Sequence, residues 1–188
     1  MDNKLLKLLK DYNRYQKGEL TEPCELIIKN RKIARFDFSK YDLGSTCFLS
    51  IEFYSCGFRD VYLDYSNFGG SIFNHCILEN NSLIKAYWNN VKMVNTTIKS
   101  LNALKTEFMN IELNDSLIED SSFQKCIFTN LEQSTIKNVT FINCTFNACT
   151  FANCIFRNVK FVKCAFCDTE IIFDKDEAQF MDCQALNS

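Results

Sequence analysis

The residues with the widest chemical reach in this chain are its cysteines, 11 in 188 residues, against a single histidine. Three of them fall in "NCTFNACTFANCIF", Asn143 to Phe156, at Cys144, Cys149 and Cys154. Thiols this close in sequence can hold a metal, form disulfides or simply pack. Zinc needs ligands that converge on a tetrahedron, usually as two close pairs. A spacing of five, with Phe146, Phe151 and Phe156 each two places after a cysteine, supplies no such pairs, so no metal site is expected. Disulfides persist in oxidising compartments. The odd cysteine count points to a reducing one. So does the N-terminus "MDNKLLKLLKDYNRYQ", whose leucines are broken up by Lys and Asp, unlike a secretory signal. The expected location is cytoplasmic and the expected role of the thiols is packing, because free Cys behaves as a small buried hydrophobe.

Other chemistry is thinly supplied. His75 has no local sign of a Ser–His–acid set, and neither GxGxxG nor GxxxxGK[ST] occurs to cradle a phosphate. No catalytic residue and no cofactor is assigned. The formal charge is −2, so the overall balance selects neither a polyanion nor a polycation, and direct nucleic-acid binding is not expected. No apolar run reaches the roughly 18 residues of a membrane span.

What places the cysteines is a period. A helix repeats its apolar face every 3.6 residues and a strand every two. Here the repeat is five. From Ile33 to Phe128 every fifth residue is apolar; the register then slips by three and resumes from Ile136 to Ile171. These 28 centres hold 15 of the 18 Phe. Two residues before each centre is a slot that is small in 21 of 28 cases, and seven slots are Cys56, Cys76, Cys126, Cys144, Cys149, Cys154 and Cys164. At one position the volumes swap: Leu101 fills the slot and Ala103 the centre, an exchange that a close-packed interior tolerates. One five-residue unit cannot bury its own Phe, so the units must stack.

The units "CTFNA" (Cys144–Ala148), "CTFAN" (Cys149–Asn153) and "SSFQK" (Ser121–Lys125) resemble the pentapeptide-repeat family motif of a small residue, a polar residue, Leu or Phe, and two polar residues. The resemblance runs from about Arg31 to Phe173. It implies an all-β fold, a right-handed quadrilateral β-helix in which each pentapeptide forms one side and four sides a 20-residue coil. About seven coils would make a rod roughly 34 Å long at the spacing of a backbone ladder. Residues 20 apart then share a column. Phe48, Phe68, Trp88, Phe108, Phe128 and Phe151 form one if the slip is an insertion, Leu131-Glu132-Gln133, rather than a shortened side. Cys56 and Cys76, Cys126 and Cys149, and Cys144 and Cys164 would lie one coil apart, within disulfide reach of each other. Asn residues such as Asn80, Asn90 and Asn143 belong at corners, where they tolerate unusual dihedrals.

The expected organisation is a helical cap over 1–27, the β-helix over 28–173 and a C-terminal cap or tail over 174–188. In the first, Leu5, Leu8, Leu9 and Tyr12 share a helix face that would cover the open end of the coil, and Gly18 can end the helix. In the last, Phe180 and Met181 would seal the other end.

Two functions from different classes follow. The leading one is a non-enzymatic scaffold that offers flat β faces to an unidentified protein partner. The alternative comes from the resemblance: quinolone-protective members mimic a DNA duplex, bind DNA gyrase or topoisomerase IV as decoys, and dimerise through the C-terminal end. It implies a type II topoisomerase as partner and a homodimer through a terminal cap. Charge argues against mimicry, since DNA carries a negative charge about every 1.7 Å of axis. This chain should instead stack Lys85, Lys105 and Lys125 into a basic ridge, with acids gathered locally around Asp37 to Asp64 and Glu107 to Asp120.

Overall fold

A five-residue side is too short to leave the chain direction unchanged for long, so the strand must turn at every repeat. A computed structural model describing residues 3–129, 135–172 and 178–186 shows how it does so. The chain is a parallel β-solenoid of about seven turns with one N-terminal helix. Strands of mostly three residues pair with those 20 residues away, and four parallel sheets run along the rod. We number the faces by their centres. Face 1 holds Phe48, Phe68, Trp88 and Phe108; face 2 Phe53, Phe73 and Met93; face 3 Phe58, Leu78 and Ile98; face 4 Leu63, Leu83 and Ala103.

Except after Phe38, the turn is made by the described residue two places after each centre, which adopts a left-handed backbone. Asn80, Asn90, Asn143 and His75 have φ of 53°, 58°, 52° and 54°. Asn suits this region, while most side chains pay about 1–2 kcal/mol for it. Lys85, Lys105 and Ala148 take the same conformation, with φ of 51°, 52° and 49°. Asn corners also bond along their columns: Asn158 Nδ2 donates to Asn138 Oδ1 at 3.0 Å and Asn138 Nδ2 to Asp115 Oδ1 at 2.7 Å. Ala148→Asn is therefore expected to stabilise the fold by about 1 kcal/mol. A rise in the urea midpoint with unchanged slope checks this, and a fall would refute the corner argument.

The pairing register locates two irregularities. Phe108 pairs with Phe128, 20 residues on, but Phe128 pairs with Phe151 and Leu113 with Ile136, 23 residues on. Ile136 and Phe156 are again 20 apart. A shortened side would have reduced the offset; here three extra residues enter between Thr129 and Thr135. Leu131, Glu132 and Gln133 themselves lie outside the described residues. Near the C-terminus Phe161 pairs with Phe180, an offset of 19. Strands Ala178–Met181 and Gln184–Leu186 thus continue the ladder past the expected boundary at 173. At the other end Ile28 pairs with Phe48, so the first coil begins one side earlier than Ile33.

The core is a stack of rings. Phe48 lies 5.2 Å from Phe68, Phe108 4.7 Å from Phe128 and Phe128 4.6 Å from Phe151, each pair within 8° of parallel. Trp88 breaks the face 1 stack: it lies flat on Phe73 of face 2 at 5.1 Å and meets Phe108 edge-on at 6.4 Å. Among the described residues its buried Nε1 has no hydrogen-bond partner, and it borders a void of about 20 Å³ shared with Leu101 and Leu83. The swapped pair Leu101 and Ala103 is buried, at 3% and 0% exposure.

Helix Asn3–Gln16 covers the first coil. Leu5, Leu9 and Tyr12 are buried. The Tyr12 hydroxyl donates to Gly44 O, and Asn13 clamps Asp42 from both sides, accepting its N–H at 2.8 Å and donating to its carbonyl at 3.3 Å. Burial of the Tyr12 ring raises its phenol pKa. Gly18, at φ 72°, ends the helix: its N–H bonds Tyr15 O at 2.9 Å, and Glu19 N–H bonds Arg14 O at 2.8 Å. This pairing satisfies the last helical carbonyls.

Candidate protein-interaction surface

The cysteines come first, because they carried the strongest chemical suggestion. All 11 are free thiols. The seven in slots are buried, and each aims its Sγ at a carbonyl of the coil below, as Cys126 does at Ala103 O (3.5 Å) and Cys149 at Phe123 O (3.3 Å). Slot hydroxyls do the same job more fully. Ser71 Oγ donates to Phe48 O at 2.8 Å and accepts from Ile51 N–H at 3.0 Å, tying neighbouring coils together. Cys144, Cys149 and Cys154 face inward on three successive sides rather than converging. Among the described residues no three His, Cys, Asp or Glu side chains gather as a metal site. Burial pushes the Cys154 thiol up to about 12.

His75 sits at an exposed corner, edge-on to Tyr54 at 5.7 Å. It shares an open groove of about 400 Å³ with Asp37, Arg35 and Arg59. The Asp37 carboxylate turns instead to Ser39 N–H at 3.0 Å, which lowers its pKa. No hydrogen bond joins it to His75 among the described residues. A second groove, about 340 Å³, runs along the edge between faces 3 and 4 beside Asp60 and Asn80. No helix of the described residues is long and apolar enough to cross a membrane.

The acidic residues disperse. Glu52 pairs with Lys32 at 3.6 Å and Glu112 with Lys92 at 2.7 Å on face 2, while Glu79 meets Arg59 at 3.1 Å on face 3. Each pair spans one coil, an i to i+20 arrangement peculiar to this architecture. Asp42 and Asp64 lie on face 4 and Glu107 on face 1, so no continuous acidic track forms among the described residues.

Faces 1 and 4 are both sparsely charged, face 4 bearing only Asp42 and Asp64 among its described outward residues; face 1 differs in the apolar side chains it exposes. Its outward residues are Tyr87, Asn67, Leu49, Met109, Ile127 and Thr150 with their neighbours, and only Lys29, Glu107 and Glu170 carry charge. Ile27, Tyr87, Ile127 and Ile172 are 49%, 48%, 44% and 53% exposed. The corner leading into this face carries Lys85, Lys105 and Lys125, stacked by the register Ile84–Leu104–Gln124 and all exposed. Lys85 Nζ lies 5.8 Å from the Tyr65 ring at the foot of the ridge. The opposite corner is uncharged, with Ser50, Gly70, Asn90 and Asn110. The ridge was legible in the sequence; the apolar face beside it appears only when outward residues are read column by column.

Phe180 and Met181 do not close the C-terminal end. Phe180 stacks on Phe161 at 5.0 Å as the centre of a further coil, and the two residues are 43% and 41% exposed. The ladder runs on through them, which leaves their upper side uncovered by any described residue.

Repeat and fold define the class: a four-sided parallel β-solenoid on a five-residue repeat, the architecture implied by the resemblance to pentapeptide-repeat proteins. No protein-family model and no curated protein matches the chain. Solved structures do. A trypsin-treated variant of QnrB1, a plasmid-mediated fluoroquinolone resistance protein, is 12% identical over 85% of this chain and 90% of its own, with a TM-score of 0.30. A pentapeptide repeat protein from the cyanobacterium Cyanothece 51142 is 17% identical over 78% and 99%, with a TM-score of 0.38. HetL of the cyanobacterium Nostoc sp. strain PCC 7120, a pentapeptide repeat protein involved in heterocyst differentiation regulation, is 10% identical over 93% and 92%, with a TM-score of 0.23.

Proposed function

We propose that this protein is a non-enzymatic, cytoplasmic interaction scaffold whose face 1 docks a protein partner. The observation that carries the reading is the pairing of a sparsely charged face that exposes Ile27, Tyr87, Ile127 and Ile172 with a lysine row along the edge it shares with face 4. Interface centres are depleted in charge and keep polar groups at the rim. The complementary partner presents an apolar and amide-bearing centre flanked on one side by carboxylates. The ridge steers the encounter and fixes its direction along the rod.

The test compares two charge reversals in capture experiments from the protein's own cells. Lys85→Glu, Lys105→Glu and Lys125→Glu together should lose a partner that the parent protein retains, and that partner's capture should weaken as salt rises. Reversal of Lys99 and Lys160 on face 3 and Lys163 at its far corner should leave it. Tyr87→Lys with Ile127→Lys on face 1 should lose it as well, and Tyr62→Lys on face 4 should not. Equal loss in both lysine variants, loss in neither, or loss with Tyr62→Lys alone would overturn the assignment to face 1.

The alternative, a decoy for DNA gyrase or topoisomerase IV, draws support from the rod-like fold, but a lysine ridge opposes binding to a surface built for phosphates. A supercoiling assay with and without quinolone separates the two. Inhibition or protection at micromolar protein would replace the scaffold reading with mimicry.

A further inference from the structure

The one-residue register change near the C-terminus brings an eleventh-hour thiol into the ladder. Cys183 occupies the slot above Cys164, which itself stands above Cys144. The placement is fixed on both sides: Lys163 N–H bonds Met181 O at 2.8 Å and Gln184 N–H bonds Cys164 O at 2.9 Å. Both sulfurs adopt the slot orientation, Cys164 Sγ at 3.5 Å from Phe141 O and Cys183 Sγ at 3.2 Å from Phe161 O. Backbones one ladder step apart, about 4.8 Å, lie within the Cα range that a disulfide spans. The other stacked pairs, Cys56 with Cys76, Cys126 with Cys149 and Cys144 with Cys164, are sealed in the core at 2% exposure or less. Only this one has a half-buried member, Cys183, in the last described coil.

We propose that Cys164 and Cys183 form a redox pair, oxidised by a hydroperoxide to a disulfide that staples the last coil to the one beneath it. The Cys183 thiolate attacks the peroxide oxygen, giving a sulfenic acid and releasing the alcohol, or water from hydrogen peroxide, which takes up the proton lost by the thiol. The Cys164 thiolate then attacks the Cys183 sulfur; the S–O bond breaks and hydroxide leaves as water with the proton from Cys164. Two thiols and one ROOH become one disulfide, one ROH and one water. The thiol of Cys144 beside Cys164 lowers the Cys164 pKa by hydrogen bonding. The Cys183 thiol is raised, mainly by burial, so its attack quickens with rising pH.

Hydrogen peroxide applied to the full chain, followed by peptide mapping without reduction, tests the pair. The expected result is an intrachain link between 164 and 183 in the parent and in Cys167→Ser, and none in Cys183→Ser or Cys164→Ser. Serine is already a slot residue at Ser66, Ser71 and Ser121, so both variants should keep the fold, as circular dichroism can verify. Oxidation should slow proteolysis of the chain beyond 173 at least tenfold, reversed by dithiothreitol. A link to Cys167 instead, an intermolecular link, only sulfenic or sulfinic acid at single sites, no oxidation, or an unaltered cleavage rate would each overturn the proposal.

Discussion

Phe146→Ala splits the unfolding of this rod into two transitions. Phe146 is fully buried and lies between Phe123 at 5.1 Å and Phe166 at 5.2 Å, nearly parallel to both, with Phe141, Phe151 and Phe161 meeting it edge-on. Removing a buried Phe ring costs about 3–5 kcal/mol, and each lost ring pair adds to the plain loss of buried area. In a solenoid each coil touches only its neighbours, so the loss falls on one junction. The coils above it should melt at lower urea than those below. Trp88, the only tryptophan, is buried lower in the rod and reports only the second step. Far-UV circular dichroism should therefore lead tryptophan fluorescence in the variant and coincide with it in the parent. Phe146→Leu should cost less than about 1.5 kcal/mol and keep the curves together. Coincident curves in Phe146→Ala, or a loss under 1 kcal/mol, would contradict the stacked-core account.

Leu9→Asp should strip the cap. Leu9 is 0% exposed, and the aspartate would have to lose its water without a partner or leave the interface. Loss of the leucine contact with part of the desolvation cost should remove about 3–5 kcal/mol of cap binding. The helix has 14 residues, marginal in water once it is detached, so it melts on release. The helical band of circular dichroism should fall while the β signal stays. The uncovered coil, with Ile28, Ile33 and Phe38 behind the cap, should then bind an apolar dye. Leu9→Met should keep the helical band. A variant that retained its helical signal and bound no dye would mean that Leu9 does not hold the cap in place.

The repeat made the core legible because every inward position recurs in sequence at a fixed interval, and a polar exception would have broken it. Legibility failed where the interval changed. The offset of 19 hid the last coil, and with it Cys183, because a five-residue rule read beyond Ile171 points at the wrong residues. Ile28 was hidden by Leu26, a large residue where a small slot was expected. The tilt of Trp88 onto Phe73 depends on ring shape in three dimensions, which spacing does not encode. Face 1 was invisible for another reason: the fold places almost no constraint on outward residues beyond the corner conformation, so they carry no period of their own.

The left-handed corner has one more effect. Because the direction change is local to each side, a duplicated block of 20 codons would add a full turn without disturbing those already present. It would also copy one rung of every vertical stripe, so the lysine row could lengthen from three steps to four in a single genetic event. A molecule of this kind can evolve as a ruler does, by gaining graduations rather than by being redrawn.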